Sequence, residues 1–167
     1  MAYAIEQLSL QRYAEKDKEA LAAFRLPAEQ AQYTALPLEV LEPDEGKHPI
    51  VIVSGKGPVG FFVLHTSERV RDYTENLNAL LLTALSINHV EQGKGYAKKA
   101  MLLLKDFVRS QFPAYDEVVL AVNHKNIPAQ RLYEKAGFRD TGRRREGNLG
   151  EQYIYAMKVN ECSPNKF

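Results

Sequence analysis

The hexapeptide Gln92-Gly93-Lys94-Gly95-Tyr96-Ala97 constrains this chain more than any other segment. It joins an apolar run, Ala79 to Ile87, to a segment from Gly95 to Gln111. In that second segment Ala97, Ala100, Met101, Leu104, Phe107 and Val108 recur at intervals of three and four. The run reads as a central strand buried on both faces, and the periodic segment as an amphipathic helix that Pro113 ends. Two glycines one residue apart at a strand-to-helix junction point backbone N–H groups outward at the positive end of a helix dipole, an arrangement suited to phosphate. A P-loop would need Lys-Ser or Lys-Thr where the chain has Tyr96-Ala97, and a dinucleotide fingerprint would need Gly or Ala at Lys98. Neither familiar nucleotide motif fits.

The rest of the chain supplies the elements around this junction. Tyr3 to Leu8 reads as a weak opening strand, Asp17 to Phe24 as a helix capped by Asp17, and Pro27 to about Tyr33 as a second short helix. Leu36 to Pro49 reads as a loop. Ile50 to Val53 and Val59 to Leu64 are strands joined by a hairpin turn at Gly55-Lys56-Gly57-Pro58. Glu117 to Val122 is a further strand. After it comes a short helix that Asn126 can cap, with Pro128 in its first turn and Gly137 at its end. Tyr153 to Val159 is the last strand, reached through a turn near Asn148-Leu149-Gly150. The order β-α-α-β-β-β-α-β-α-β predicts an α/β (α+β) fold, a mixed sheet with helices on its faces.

The chain has 167 residues, which suits one domain, expected over 1–160 with a polar tail at 161–167. A formal net charge of +1 gives no electrostatic case for nucleic acid. The one cysteine, Cys162, excludes an intrachain disulfide, sits in a polar stretch unsuited to an acyl-enzyme nucleophile, and fits a reducing cytoplasm. The longest apolar stretch is too short to span a bilayer, and Glu6 interrupts any leader-like run, so no membrane partner is expected. No metal-ligand cluster stands out.

Two motifs in order carry a resemblance. Gln92-x-x-Gly95-x-Ala97, followed by Asn123-x-x-Asn126-x-x-Ala129-x-x-Leu132-Tyr133-Glu134-Lys135-Ala136-Gly137-Phe138, resembles the GNAT superfamily of acyl-CoA N-acyltransferases over Ala79 to about Val159. The resemblance implies a mostly antiparallel central sheet and acetyl-CoA as coenzyme. It implies that the amides of Gln92, Gly93, Lys94, Gly95, Tyr96 and Ala97 bind pyrophosphate, with the side chains of Lys94, Lys98 and Lys99 near enough to add cationic contacts. The central strand, with Ser86 and Ile87 at its end, would pair with the pantetheine arm and polarise the thioester carbonyl, and strand Glu117 to Val122 would splay from it. Asn126 and Ala129 would contact the coenzyme arm. Tyr133 takes the family's position for the general acid that protonates the departing thiolate, of reference pKa about 8.5.

The implied activity is acetyl transfer to a primary amine of a small-molecule or peptide acceptor by direct attack in a ternary complex. A homodimer stays open. The general base is not legible, because Leu77 to Val90 contains no Asp or Glu; Glu75, Asn88, His89 and His65 are the fallback candidates, with water relay beside them. The acidic residues Glu29, Glu39, Glu42, Asp44 and Glu45 could attract a cationic amine but read first as a solvated surface, and Arg143-Arg144-Arg145 could bind an acidic acceptor or a phosphate but read first as an exposed turn. Two other classes are an acyl-CoA sensor without turnover, which would need no Tyr133, and a Rossmann-type oxidoreductase, which would put its glycine motif near the N-terminus.

Overall fold

The computed structural model describes residues 7–33 and 44–160. The strands are β1 Ser9–Arg12, β2 Lys47–Ser54, β3 Gly57–His65, β4 Ala79–Ile87, β5 Glu117–Asn123, β6 Arg139–Gly147 and β7 Gly150–Lys158. The helices are α1 Lys18–Ala22, α2 Ala28–Ala31, α3 Tyr96–Gln111 and α4 Ile127–Lys135, with a 3-10 turn at Glu68–Asp72. All seven strands join one sheet in the order β1-β2-β3-β4-β5-β7-β6. Only β4 and β5 pair in parallel; the other neighbours are antiparallel.

Strand β4 sits at the centre, and its unbroken apolar run follows from that place. Side chains alternate along a strand. Leu80 and Leu82 therefore face α3, packing with Ala100, Met101, Leu104 and Val108. Ala79 and Leu81 face the other way and pack with Val70, Tyr73, Val119 and Ile154. On that second face Leu21 of α1 and the following Phe24 cover Val51, Phe61 and Val63. The result is the mixed, mostly antiparallel sheet with helices on both faces that the sequence predicts.

Several boundaries differ from the sequence reading. The opening strand begins at Ser9, whereas the expectation ran from Tyr3 to Leu8, and residues 3–6 lie outside the described ones. Asp17 does not cap α1. Its carboxylate accepts the Ala14 N–H at 3.0 Å and closes a 3-10 turn ahead of the helix. Strand β2 starts at Lys47, inside the expected loop, and the remainder of that loop at 36–43 lies outside the described residues. Pro49 is tolerated because β1 pairs with β2 only from Ile50 onward, so its missing N–H costs no bond on that side. Ser54 pairs with Gly57, so the hairpin turn is Gly55-Lys56 and Gly57-Pro58 belong to β3.

The largest correction is β6. Arg143-Arg144-Arg145, expected in an exposed turn, lie in an edge strand that pairs with β7 through a turn at Asn148-Leu149. Its residues are mostly exposed, so the strand is held by its ladder rather than by an apolar face.

Candidate active site

Beyond Leu81, β4 and β5 part company. Their register runs only through Ala79↔Glu117, Leu80↔Val118 and Leu81↔Val119, although β4 continues to Ile87 and β5 to Asn123. Each strand stays tied on its outer side, β4 to β3 as far as Gly60↔Ile87 and β5 to β7 as far as Asn123↔Gln152. The sheet therefore opens between them into a wedge, and the facing backbone of Leu82 to Ile87 is left without a β5 partner.

A bulge lies in that opened stretch. Phe61 pairs with Ser86 but Val63 pairs with Thr83, so Ala84 and Leu85 stand opposite Phe62. Ala84 has φ +60°, the one positive φ of a described non-glycine residue. Such a backbone costs on the order of 1–3 kcal/mol and persists only where its surroundings impose it. The Ser86 hydroxyl helps to do so, donating to the Ala84 carbonyl at 3.1 Å. A bulge takes peptide groups out of the regular ladder and re-aims them, and here it does so at the mouth of the wedge.

The glycine turn flanks the same strand end. Gly93 and Gly95 have φ of +83° and +79°, which suits glycine, and a side chain built on either meets nothing within 4 Å. Gly95 is the N-cap of α3, and no side chain caps its first turn. An uncapped start to a 16-residue helix, with open space before it, leaves the positive helix end available to an anion. The Gln92 side chain braces this turn: its amide donates to the Ile87 carbonyl at 2.9 Å and to Gln30 of α2 at 2.8 Å. Lys94 pairs with Glu91 at 2.8 Å, Lys98 and Lys99 are exposed, Tyr96 is buried and Ala97 is half-buried.

The second motif builds the opposite wall. The Asn126 carboxamide oxygen accepts the Ala129 N–H at 3.4 Å, capping α4, and Gly137 ends the segment with φ +107°. Asn123 is buried, donating to the Leu149 carbonyl at 3.0 Å and accepting the Lys125 N–H at 2.8 Å. Gln130 of α4 donates to the carbonyls of Asn123 and His124 at 3.0 and 3.1 Å. These bonds fix α4, the end of β5 and the β6–β7 turn as one unit. The Tyr133 ring packs edge-on against Phe138 with centroids 5.5 Å apart. Its hydroxyl makes no hydrogen bond among the described residues. No fully enclosed side-chain oxygen there lacks a partner, so the hydroxyl reaches an opening. Burial pushes the phenol above its ordinary pKa and keeps it protonated.

On the sheet face away from α3 lies a cavity of about 420 Å³ whose floor includes Leu81, Thr83 and Ala84. Its walls include Arg69, Asp72, Tyr73 and, from the β6–β7 hairpin, Arg145, Glu146 and Gln152. Of these wall residues the sequence offered only Arg145, within Arg143-Arg144-Arg145, as a binder of an acidic acceptor or phosphate; the others carried no signal. The fallback base candidates do not line it. Asn88 accepts the Arg25 N–H at 2.9 Å, and His89 is exposed. His65 comes nearest, buried with Nε2 at 2.7 Å from the Thr83 hydroxyl, but its pKa falls to about 4 through burial and the charges of Arg69, Lys47 and His48. A histidine held neutral so firmly is a poor store for a proton. Carboxylates do border the opened strand β4, but they come from the 3-10 turn and the hairpin.

The sequence profile of the acetyltransferase (GNAT) family matches residues 9–138. The chain belongs to the GNAT family. Among GNAT relatives it is 50% identical to the uncharacterized N-acetyltransferase YbbJ of Bacillus subtilis, over 89% of this chain and 96% of that one. It is 36% identical to human N-acetyltransferase 8B over 44% of this chain and 31% of that protein. Among solved structures, aminoglycoside acetyltransferase AAC(6′)-Ib in complex with coenzyme A and kanamycin aligns with a TM-score of 0.72 at 17% identity, covering 91% of this chain and 95% of that one. An uncharacterized Bacillus halodurans protein aligns with a TM-score of 0.76 at 14% identity, covering 93% and 86%. At such identities the likeness is one of fold. Membership makes the chain an acetyltransferase whose coenzyme is acetyl-CoA. Among the described residues no helix is long and apolar enough to cross a membrane, and no cluster of His, Cys, Asp and Glu is arranged for a metal ion.

Proposed function

We propose that this GNAT enzyme transfers the acetyl group of acetyl-CoA to a primary amine of a small-molecule or peptide acceptor, by direct attack with both substrates bound. One observation carries the reading: a single stretch, Thr83 to Ile87, is approached by the glycine turn at its end and by the cavity from the sheet face away from α3. Two substrates can then meet across one strand without displacing each other. The solved aminoglycoside acetyltransferase in complex with coenzyme A and kanamycin supports simultaneous binding of coenzyme and acceptor.

The residues fit the coenzyme. The open, uncapped turn at Gly93 and Gly95 suits a pyrophosphate held by the amides of Gln92 to Ala97, with Lys94 adding charge. The unpaired edge of β4 toward Ser86 and Ile87 suits an extended amide-containing arm, and Asn126 and Ala129 border the wedge from α4. When bound, acetyl-CoA supplies a thioester carbonyl open to an amine and a thiolate as leaving group.

The chain's own groups then have separate tasks. Peptide N–H groups that the Ala84 bulge takes out of the ladder would stabilise negative charge at the thioester carbonyl, worth a few kcal/mol per donor in sites of this kind. Asp72, at the cavity wall, attracts an alkylammonium and takes its proton at a carboxylate oxygen, directly or through water. Tyr133 donates its hydroxyl proton toward the departing sulfur. Its raised pKa makes a strong hydrogen bond more favourable than complete transfer to a thiolate of lower proton affinity. Thiol release from acetyl-CoA against a panel of amines tests the reading. Release with at least one acceptor is expected; none with any would leave a protein that binds acyl-CoA without turnover.

A further inference from the structure

The charges on the cavity wall narrow the acceptor. Resting on the acetyl-transfer reading above, we infer that the acceptor amine also carries a carboxylate, as an amino acid or a short peptide does. Two neighbouring arginines of β6 make the contrast. Arg144 is already satisfied, its fork bonded to both carboxylate oxygens of Asp140 at 2.8 and 2.9 Å. Arg145 points to the cavity side and is half-buried. One of its nitrogens donates to the Tyr73 hydroxyl at 2.8 Å and to Gln152 Oε1 at 3.1 Å, and its guanidinium lies 4.4 Å from the Tyr73 ring centroid. Those partners orient the fork but are neutral, although Asp72 and Glu146 line the same wall. Among the described residues no carboxylate lies within ion-pair distance of Arg145 or of Arg69, the second guanidinium of the wall.

A planar fork held by neutral groups in a half-buried place is what binds a carboxylate in bidentate fashion. Asp72 on the same wall supplies the opposite charge for the ammonium. An acceptor with both signs matches the wall. A polyamine or aminoglycoside meets two guanidiniums beside Asp72 and Glu146 and carries no carboxylate to occupy the Arg145 fork. The cavity of about 420 Å³ lies within the range of small-ligand pockets and suits an acceptor of this size.

The test compares kcat/KM, read as thiol release, across matched acceptors: amino acids and dipeptides, the same compounds as C-terminal amides, and spermidine and kanamycin. The best acid form is expected to exceed its own amide roughly 10–100-fold, the range for hydrogen bonds to a charged group. Arg145→Gln should erase most of that preference by slowing the acid form alone, Arg145→Lys should restore part of it, and acetyl-CoA affinity should hold in both. If Arg145→Gln does not fold, Arg69→Gln, at an exposed position without an ion pair among the described residues, should reduce the preference in the same direction. Amides or polycations preferred over acids would overturn the inference while leaving acetyl transfer intact, as would an acid preference undiminished in both glutamine variants. No release with any acceptor would remove the acetyl-transfer reading itself, and this inference with it.

Discussion

The two faces of the opened sheet are built differently. On the α3 and α4 side, glycine turn, helix start, Asn126 cap and Tyr133 come from one continuous stretch, Gln92 to Phe138, in which local spacing sets the geometry. On the cavity side, Asp72, Thr83, Ala84 and Arg145 come from a 3-10 turn, a bulged strand and an edge hairpin that only the sheet brings together. On the proposed reading, a coenzyme common to a whole family is met by contiguous backbone, while an acceptor peculiar to one chain is met by scattered side chains. Changes on the first face should act on coenzyme binding or the leaving group, and changes on the second on acceptor use.

The largest separable effect is expected at Tyr133. Tyr133→Phe keeps the ring against Phe138, so folding and acetyl-CoA affinity should hold. The single-turnover rate should fall by about 10²-fold, near the low end for a lost general acid. A wild-type single-turnover rate would make Tyr133 packing alone. Because its pKa is raised, the residue should add no limb to the pH–rate profile near neutrality.

Next in size is the buried imidazole beneath the cavity floor. His65 has a folded pKa of about 4 against about 6.5 in the unfolded chain, so the unfolded state takes up the proton first as pH falls. Stability should be full above about 6.5 and decline by about 2–3 kcal/mol on acidification through about 4. Denaturant melts of wild type and His65→Gln across that range should show the slope in the first and its loss in the second. Equal slopes would mean that the imidazole is protonated in the fold.

The smallest effect is at the α4 cap. Asn126→Ala should cost about 0.5–1 kcal/mol, the low end for a lost cap, since the bond is long at 3.4 Å. It should also weaken acetyl-CoA binding. A change in stability alone would confine Asn126 to capping.

The same contrast explains what the sequence disclosed. Strand β4 and helix α3 were legible because burial on two faces and on one stripe leave period-specific patterns, and both were found within a residue of their observed bounds. Gly95 and Gly137 were legible because only glycine takes those positive φ angles without strain. Strand β6 was not. Arg139–Gly147 has no apolar alternation because an exposed edge strand does not need one, and Gly142 with its register shift breaks even the residual pattern. The bulge at Ala84 was hidden too, since alanine there carries no mark of a positive φ. The cavity carboxylates were missed because a search along β4 for an acid assumes that the base is local. Asp72 reaches the strand through the fold, and nothing about its own neighbours marks it.

The division between the faces is tested most directly by calorimetric titration of acetyl-CoA into two folded variants, Gly95→Asp and Asp72→Asn. Aspartate at Gly95 fills the open space before α3 with a side chain of the wrong charge, so binding should be largely lost. Asp72→Asn alters only the cavity wall, so affinity should match wild type although thiol release with acceptor falls. Unchanged affinity in Gly95→Asp, or affinity lost in Asp72→Asn, would contradict the account.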